Sequence, residues 1–168
     1  KRFLQHISNK PLGQLEGKYN KRFYEKNKLL LIEGLEPIVD AFNTGAVLKK
    51  LYYIDENELL LLNKEIDIPM KFLHRIQAKQ MQKISRLKRT LSIAALFKRP
   101  NLEEFYTKEF SSNNLTIICD GMQDHVNMGM LIRGAAASGC KQIIVTKGSV
   151  NIWSPRLTRA SGSSLFHI

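Results

Sequence analysis

Short apolar runs, each closed by a polar or glycine-bearing turn, alternate along this chain with stretches in which apolar residues fall at helical spacing. The alternation is clearest over residues 115–139. Leu115, Ile117, Ile118 and Cys119 make a short apolar run of strand length, and this predicts burial on both faces, as in a parallel sheet. Asp120, Gly121, Asp124 and Asn127 interrupt it. From Asn127 onward, Met128, Leu131, Ile132, Ala135 and Ala136 recur on one stripe of an amphipathic helix. Gly139 is placed to stop that helix just past its C-cap. Ile143, Ile144 and Val145 follow at once, so the segment predicts strand, helix, strand: one βαβ unit with a right-handed crossover. Ligands of such sheets sit beyond the carboxyl ends of the strands, which is where residues 120–127 fall.

The same pattern runs upstream. Residues 29–32 predict a short buried strand, and Leu35, Ile38, Val39 and Phe42 a helical stripe that ends at Asn43-Thr44-Gly45. Residues 48–54 predict a second strand, followed by a short helix through Leu62, capped by Asp55 or Asn57. Pro69 bars a long helix, and a third strand is expected over residues 70–73. Residues 78–89 predict a helix with Met81, Ile84 and Leu87 on one side and Lys79, Lys83 and Arg86 on the other. Residues 91–97 predict the last strand of this small layer. Residues 100–113 carry polar residues and a Ser-Ser-Asn-Asn cluster, the best linker in the chain. The expected division is a basic arm over 1–27, an α/β domain over 28–99, the linker over 100–113 and a second α/β domain over 114–168. That domain is short for a doubly wound sheet, and a further strand is expected to begin at Leu165. An unpaired apolar strand exposes core, so a continuation of the chain or a partner is expected to cover it. Lys1 in place of Met likewise leads us to expect a preceding segment.

Charge adds a partner class. Twenty-six Lys and Arg against 15 Asp and Glu give a formal charge of +11 over 168 residues, which favours a polyanion and first of all nucleic acid. The excess is regional: residues 1–28 and 71–100 are basic, and residues 29–70 are acidic. The Lys79 face admits two readings, a solvated surface or, given the absence of acid in residues 71–100, an RNA contact. No apolar run reaches the ~18 residues of a membrane helix, so no membrane partner is expected. Cys119 and Cys140 are the only cysteines. Both are expected to be buried free thiols, and two cysteines alone do not make a zinc site, so no metal is expected.

Asn127, Gly129 and Arg133, spaced N-x-G-x-x-x-R within residues 120–139, resemble the first signature of the SpoU/TrmH branch of the SPOUT RNA methyltransferases. Residues 145–168, with Pro155-Arg156 leading to Arg159-Ala160-Ser161, are similar to that family's next stretch, and residues 28–97, with Glu33-Gly34 opening the first helix, resemble its L30e-like substrate-binding domain. Thr146-Lys147-Gly148, Trp153 and Pro155 look most like the mitochondrial branch that acts on large-subunit rRNA. The resemblance implies an α/β fold in which an L30e-like domain precedes the first part of an α/β-knot methyltransferase domain. It implies an rRNA ribose 2′-O-methyltransferase using S-adenosylmethionine, acting as a homodimer, with the cofactor loops expected after Ile168. The chain departs from the pattern at His125, where the family carries Pro. An alternative from another class is a non-catalytic RNA-binding or ribosome-assembly subunit of the same fold.

On this resemblance Arg133 and Asn127 are the catalytic candidates. Arg133 lies off the apolar stripe, so it is a surface cation, a carboxylate partner, or the residue placed at the ribose hydroxyl. Because a guanidinium stays protonated in proteins, orienting that hydroxyl and neutralising phosphate are the roles its chemistry suits. Asn127 is a helix cap, a site residue, or both. Asp124 is expected to cap or brace the turn. RNA contacts are expected at Lys79, Lys83, Arg86, Lys88, Arg89, Arg156 and Arg159. Gly148 and Gly162 read as turn residues, and Trp153 as core or interface.

Overall fold

The computed structural model describes residues 26–85, 91–101 and 115–168, and the chain divides after Lys98 into two compact units. In the first, β1 (Leu29–Glu33), α1 (Leu35–Asn43), β2 (Leu48–Tyr53), α2 (Glu56–Glu65), β3 (Leu73–Arg75), α3 (Ala78–Ser85) and β4 (Ile93–Lys98) follow one another. The sheet order is β1-β4-β2-β3. β4 runs antiparallel to both its neighbours, and β2 runs parallel to β3. Ile93, Ala94, Ala95, Leu96 and Phe97 of β4 are all buried, because a central strand covered on both faces has no solvated side to alternate toward. On one face Leu29, Tyr52, Ala94 and Leu96 pack with Met81 and Ile84 of α3. By the alternation of strand side chains, Leu30, Ile32, Leu51, Ala95 and Phe97 turn the other way. α1 packs on β1 and β4, and α2 on β2. Each fully buried Leu or Ile contributes about 1.5–3 kcal/mol of transfer free energy, so this two-sided sheet carries the stability of the unit.

Three local expectations are revised here. Residues 70–72 form a 3-10 turn rather than a strand, because Phe72 N–H closes on the carbonyl of Pro69 at 3.0 Å. β3 therefore starts only at Leu73. Asp55, not Asn57, caps α2: its Oδ1 accepts the N–H of Asn57 at 2.9 Å, and the helix continues past Leu62 to Glu65. β4 begins at Ile93, two residues after the expected start.

The second unit contains β5 (Thr116–Cys119), α4 (His125–Ala137), β6 (Gln142–Val145), α5 (Pro155–Ser161) and a 3-10 turn over Gly162–Phe166. β5 and β6 pair in parallel, with Ile118 opposite Ile144 and Cys119 opposite Val145. The pair is not buried on both faces. Ile118 is 68% exposed and Ile144 37%, whereas Cys119 is 4%, since one crossover helix can cover only one side of two strands. The final expected strand is also absent: residues 162–166 coil against α4 and α5, and this buries Leu165. A lone apolar run with no strand beside it gains more from packing on helices than from an unpaired ladder.

α4 ends as its glycine foretells. Gly139 takes φ +72°, its N–H meets the carbonyl of Ala136 at 3.1 Å, and Cys140 N–H meets that of Ala135 at 2.9 Å, the double bond of a Schellman cap. Both cysteines are buried free thiols. Burial pushes the Cys119 thiol up from its ordinary pKa.

Candidate functional site at the strand ends and on the fourth helix

The loop after β5 and the turn after β6 emerge side by side, because their strands are parallel and in register. α4 starts two residues earlier than the apolar stripe suggests. Asp124 is its cap: Oδ1 accepts the N–H of Asn127 at 2.7 Å. Asn127 is therefore the third helical residue, not the cap, and its exposed side chain is left for other work. An Asp three positions before the satisfied amide is the signal that locates this cap in the sequence.

Arg133 is exposed, and among the described residues it makes no ion pair. It lies about 12 Å along α4 from His125 at 1.5 Å per residue, and about 120° around the axis from Asn127. Asn127 and Arg133 are thus brought to one exposed side of the helix but not to one point. Between them on that side stand Val126 and Met130, 58% and 64% exposed. The opposite side carries Met128, Gly129, Ile132 and Ala135, all buried.

Gly129 has a role that spacing alone does not disclose. A Cβ there would sit 2.3 Å from the Cβ of Ala160 and 2.8 Å from its carbonyl carbon. α4 and α5 cross at this point, and only glycine admits the approach. The first signature and the Arg159-Ala160-Ser161 segment are therefore two sides of one helix contact.

α5 is opened by Ser154, whose Oγ accepts the N–H of Leu157 at 3.3 Å, with Pro155 at the first helical position. Arg156 and Arg159 are both exposed on α5. Gly148 and Gly162 adopt positive φ, 92° and 58°, at turns. Trp153 is half-buried, and the guanidinium of Arg99 lies 5.3 Å from its ring centroid. In the first unit Lys79 and Lys83 are exposed on α3, one turn apart. Arg86, Lys88 and Arg89 fall outside the described residues, as do residues 1–25 of the arm, residues 102–113 of the linker and residue 114. Among the described residues no group of three or more His, Cys, Asp or Glu could hold a metal ion, and no helix is long and apolar enough to cross a membrane.

Residues 19–108 match the family described as thiostrepton-resistance methylase, N terminus. The mitochondrial rRNA methyltransferase 3 of Homo sapiens is 32% identical over 152 residues, covering 87% of this chain and 35% of that protein. The Mus musculus protein of the same name is 29% identical over 151 residues, again 87% and 35%. The chain thus spans about a third of the length of these two relatives. Among solved structures, an AdoMet-bound rRNA methyltransferase from Sinorhizobium meliloti superposes with a TM-score of 0.73 at 19% identity, over 96% of this chain and 60% of that one. The fold, the signature on α4 and a family match over more than half of its length agree, and the chain belongs to the SpoU/TrmH family of RNA methyltransferases.

Proposed function

We propose that the protein to which this chain belongs is an rRNA ribose 2′-O-methyltransferase that uses S-adenosylmethionine and acts on large-subunit rRNA in mitochondria. The observation that carries this reading is Arg133: an exposed guanidinium on the signature helix, aimed away from its own core, in a chain whose relatives are named rRNA methyltransferases. Its planar fork suits a phosphate oxygen and a ribose hydroxyl together. Held there, it orients the hydroxyl toward the methyl donor and neutralises the backbone charge beside it. Because Arg133 lies about 12 Å from the start of α4, it serves best a site formed with a second copy of the chain. Val126 and Met130 on the same side leave apolar surface for that copy to cover.

Asn127 and Arg133 present an amide and a guanidinium, groups that suit the phosphate and hydroxyl oxygens of RNA.

The test is single-turnover methylation of large-subunit rRNA by the full-length protein. Arg133→Lys keeps the charge but loses the two parallel bonds, and a misplacement of about 1 Å costs on the order of a hundredfold. We expect a loss of that order for Lys and a larger one for Ala, with the unfolding temperature unchanged. Wild-type rates in Arg133→Ala, with normal RNA binding, would remove Arg133 from the reaction. A wild-type protein that binds rRNA and methylates none would favour the RNA-binding subunit instead.

A further inference from the structure

Two hydroxyls tie the loop after β5 to the turn after β6. Thr146 Oγ1 donates to Asp120 Oδ1 at 2.6 Å and accepts the N–H of Gly121 at 3.2 Å. Ser149 Oγ accepts the N–H of Met122 at 3.1 Å and donates to the carbonyl of Cys119 at 3.4 Å. Each hydroxyl thus uses its one proton on an oxygen and a lone pair on an amide, and the two amides are consecutive. The main chain adds Val150 N–H to the carbonyl of Met122 at 2.8 Å and Thr146 N–H to that of Cys119 at 3.0 Å.

The hydroxyls are themselves held in place. Ser149 N–H closes on the carbonyl of Thr146 at 3.2 Å, and Gly148 within that turn has φ +92°, a conformation that L side chains avoid. This accounts for the Thr146-Lys147-Gly148-Ser149 sequence as one device: the glycine makes the turn, and the turn aims both hydroxyls at the neighbouring loop. Two residues beyond Met122, Asp124 caps α4 and fixes Asn127.

We propose that Thr146 is a positioning residue for methyl transfer, acting through Asp120 and Gly121 to hold the strand-end loop that leads to Asp124 and, through that cap, to Asn127, with Ser149 as its companion. The inference rests on the functional reading above. Magnitudes favour a role in rate over one in stability. Asp120 and Gly121 are exposed, so water competes for the bonds of Thr146 and their net contribution to folding is small. A displacement of about 1 Å at a reacting group, by contrast, costs on the order of a hundredfold in rate.

The test uses the full-length protein and three variants: Thr146→Val, which keeps shape and removes both hydroxyl bonds; Thr146→Ser, which restores them; and Asp120→Asn, which keeps an acceptor. We expect Thr146→Val to slow single-turnover methylation by about 10- to 100-fold with RNA affinity held. Exchange of the Gly121 amide should accelerate in the same variant. Thr146→Ser should recover most of the rate, and Asp120→Asn combined with Thr146→Val should be no slower than Thr146→Val alone, since both act on one bridge. A Thr146→Val protein as fast as wild type overturns this inference and leaves the functional reading standing, as does a Thr146→Ser protein as slow as Thr146→Val. A wild-type protein that methylates no rRNA overturns the functional reading, and this inference falls with it.

Discussion

Gly129 decides how close two helices come. With a Cβ 2.3 Å from that of Ala160 and 2.8 Å from backbone, Gly129→Ala forces α4 and α5 apart. Overpacking of this kind costs about 1–3 kcal/mol, which should appear as a lower denaturant midpoint. Ala160→Gly in the same chain removes the nearer contact but not the backbone one, so we expect partial recovery and a favourable coupling in the double-mutant cycle. An unchanged midpoint for Gly129→Ala would show that the helices separate freely. Asp124 and Asn127 teach the same lesson about neighbours. Either residue type is a good cap, and the hydrogen bond between them settles that Asp124 holds the helix and that the Asn127 side chain does not cap it.

Among the elements, β3 is the one whose environment reaches solution conditions. It is the edge strand of the first sheet, and His74 on it lies 5.6 Å, ring to ring, from Tyr52. Burial first, and the Lys50 charge second, hold the His74 imidazole below its ordinary pKa of 6.5. Above that value both the folded and the unfolded chain carry neutral imidazole, and nothing is lost. As pH falls through it, the unfolded chain takes up a proton that the folded chain resists, so stability declines on acidification. The unfolding temperature of the wild type should therefore fall more steeply between about pH 7 and about pH 5.5 than that of His74→Gln. Parallel pH slopes for the two proteins would assign the effect to other groups. α3 makes a different point: its buried Met81 and Ile84 and exposed Lys79 and Lys83 sort as their spacing requires, so the helix offers a cationic face without disturbing its core.

At the scale of the molecule, charge and assembly are the properties to measure. If Lys79, Lys83, Arg86, Lys88 and Arg89 contact phosphate, the logarithm of RNA affinity should fall linearly with that of salt, and removing each contact should lower the slope by about 0.7–0.9. A variant with all five changed to Ala and an unchanged slope would place the RNA elsewhere. For the proposed pairing, sedimentation of the full-length protein should show a dimer at micromolar concentration. A monomer would leave Arg133 without the second copy it is proposed to serve, and would leave Val126 and Met130 uncovered.

The apolar runs and helical stripes determined, without help from tertiary structure, the alternation of strands and helices in the first unit and the β5-α4-β6 segment of the second, because period 2 and period 3.6 are local properties of the chain. The glycine end of α4, the burial of Cys119 and Cys140 and the signature Asn127-x-Gly129-x-x-x-Arg133 were legible for the same reason. What required the folded chain was every feature that depends on a residue far along the sequence. Ile117 and Ile118 look alike in an apolar run, yet Ile118 is 68% exposed, since which face a helix covers is not written in the strand. Residues 165–168 look like a strand, but a strand needs a partner and a helical surface was nearer. Gly129 needs Ala160 to explain it, and Thr146 needs Asp120, Gly121 and the parallel register that sets them 3 Å apart. Close approach and hydrogen bonding are relations between distant residues, and only the tertiary structure decides which residues meet.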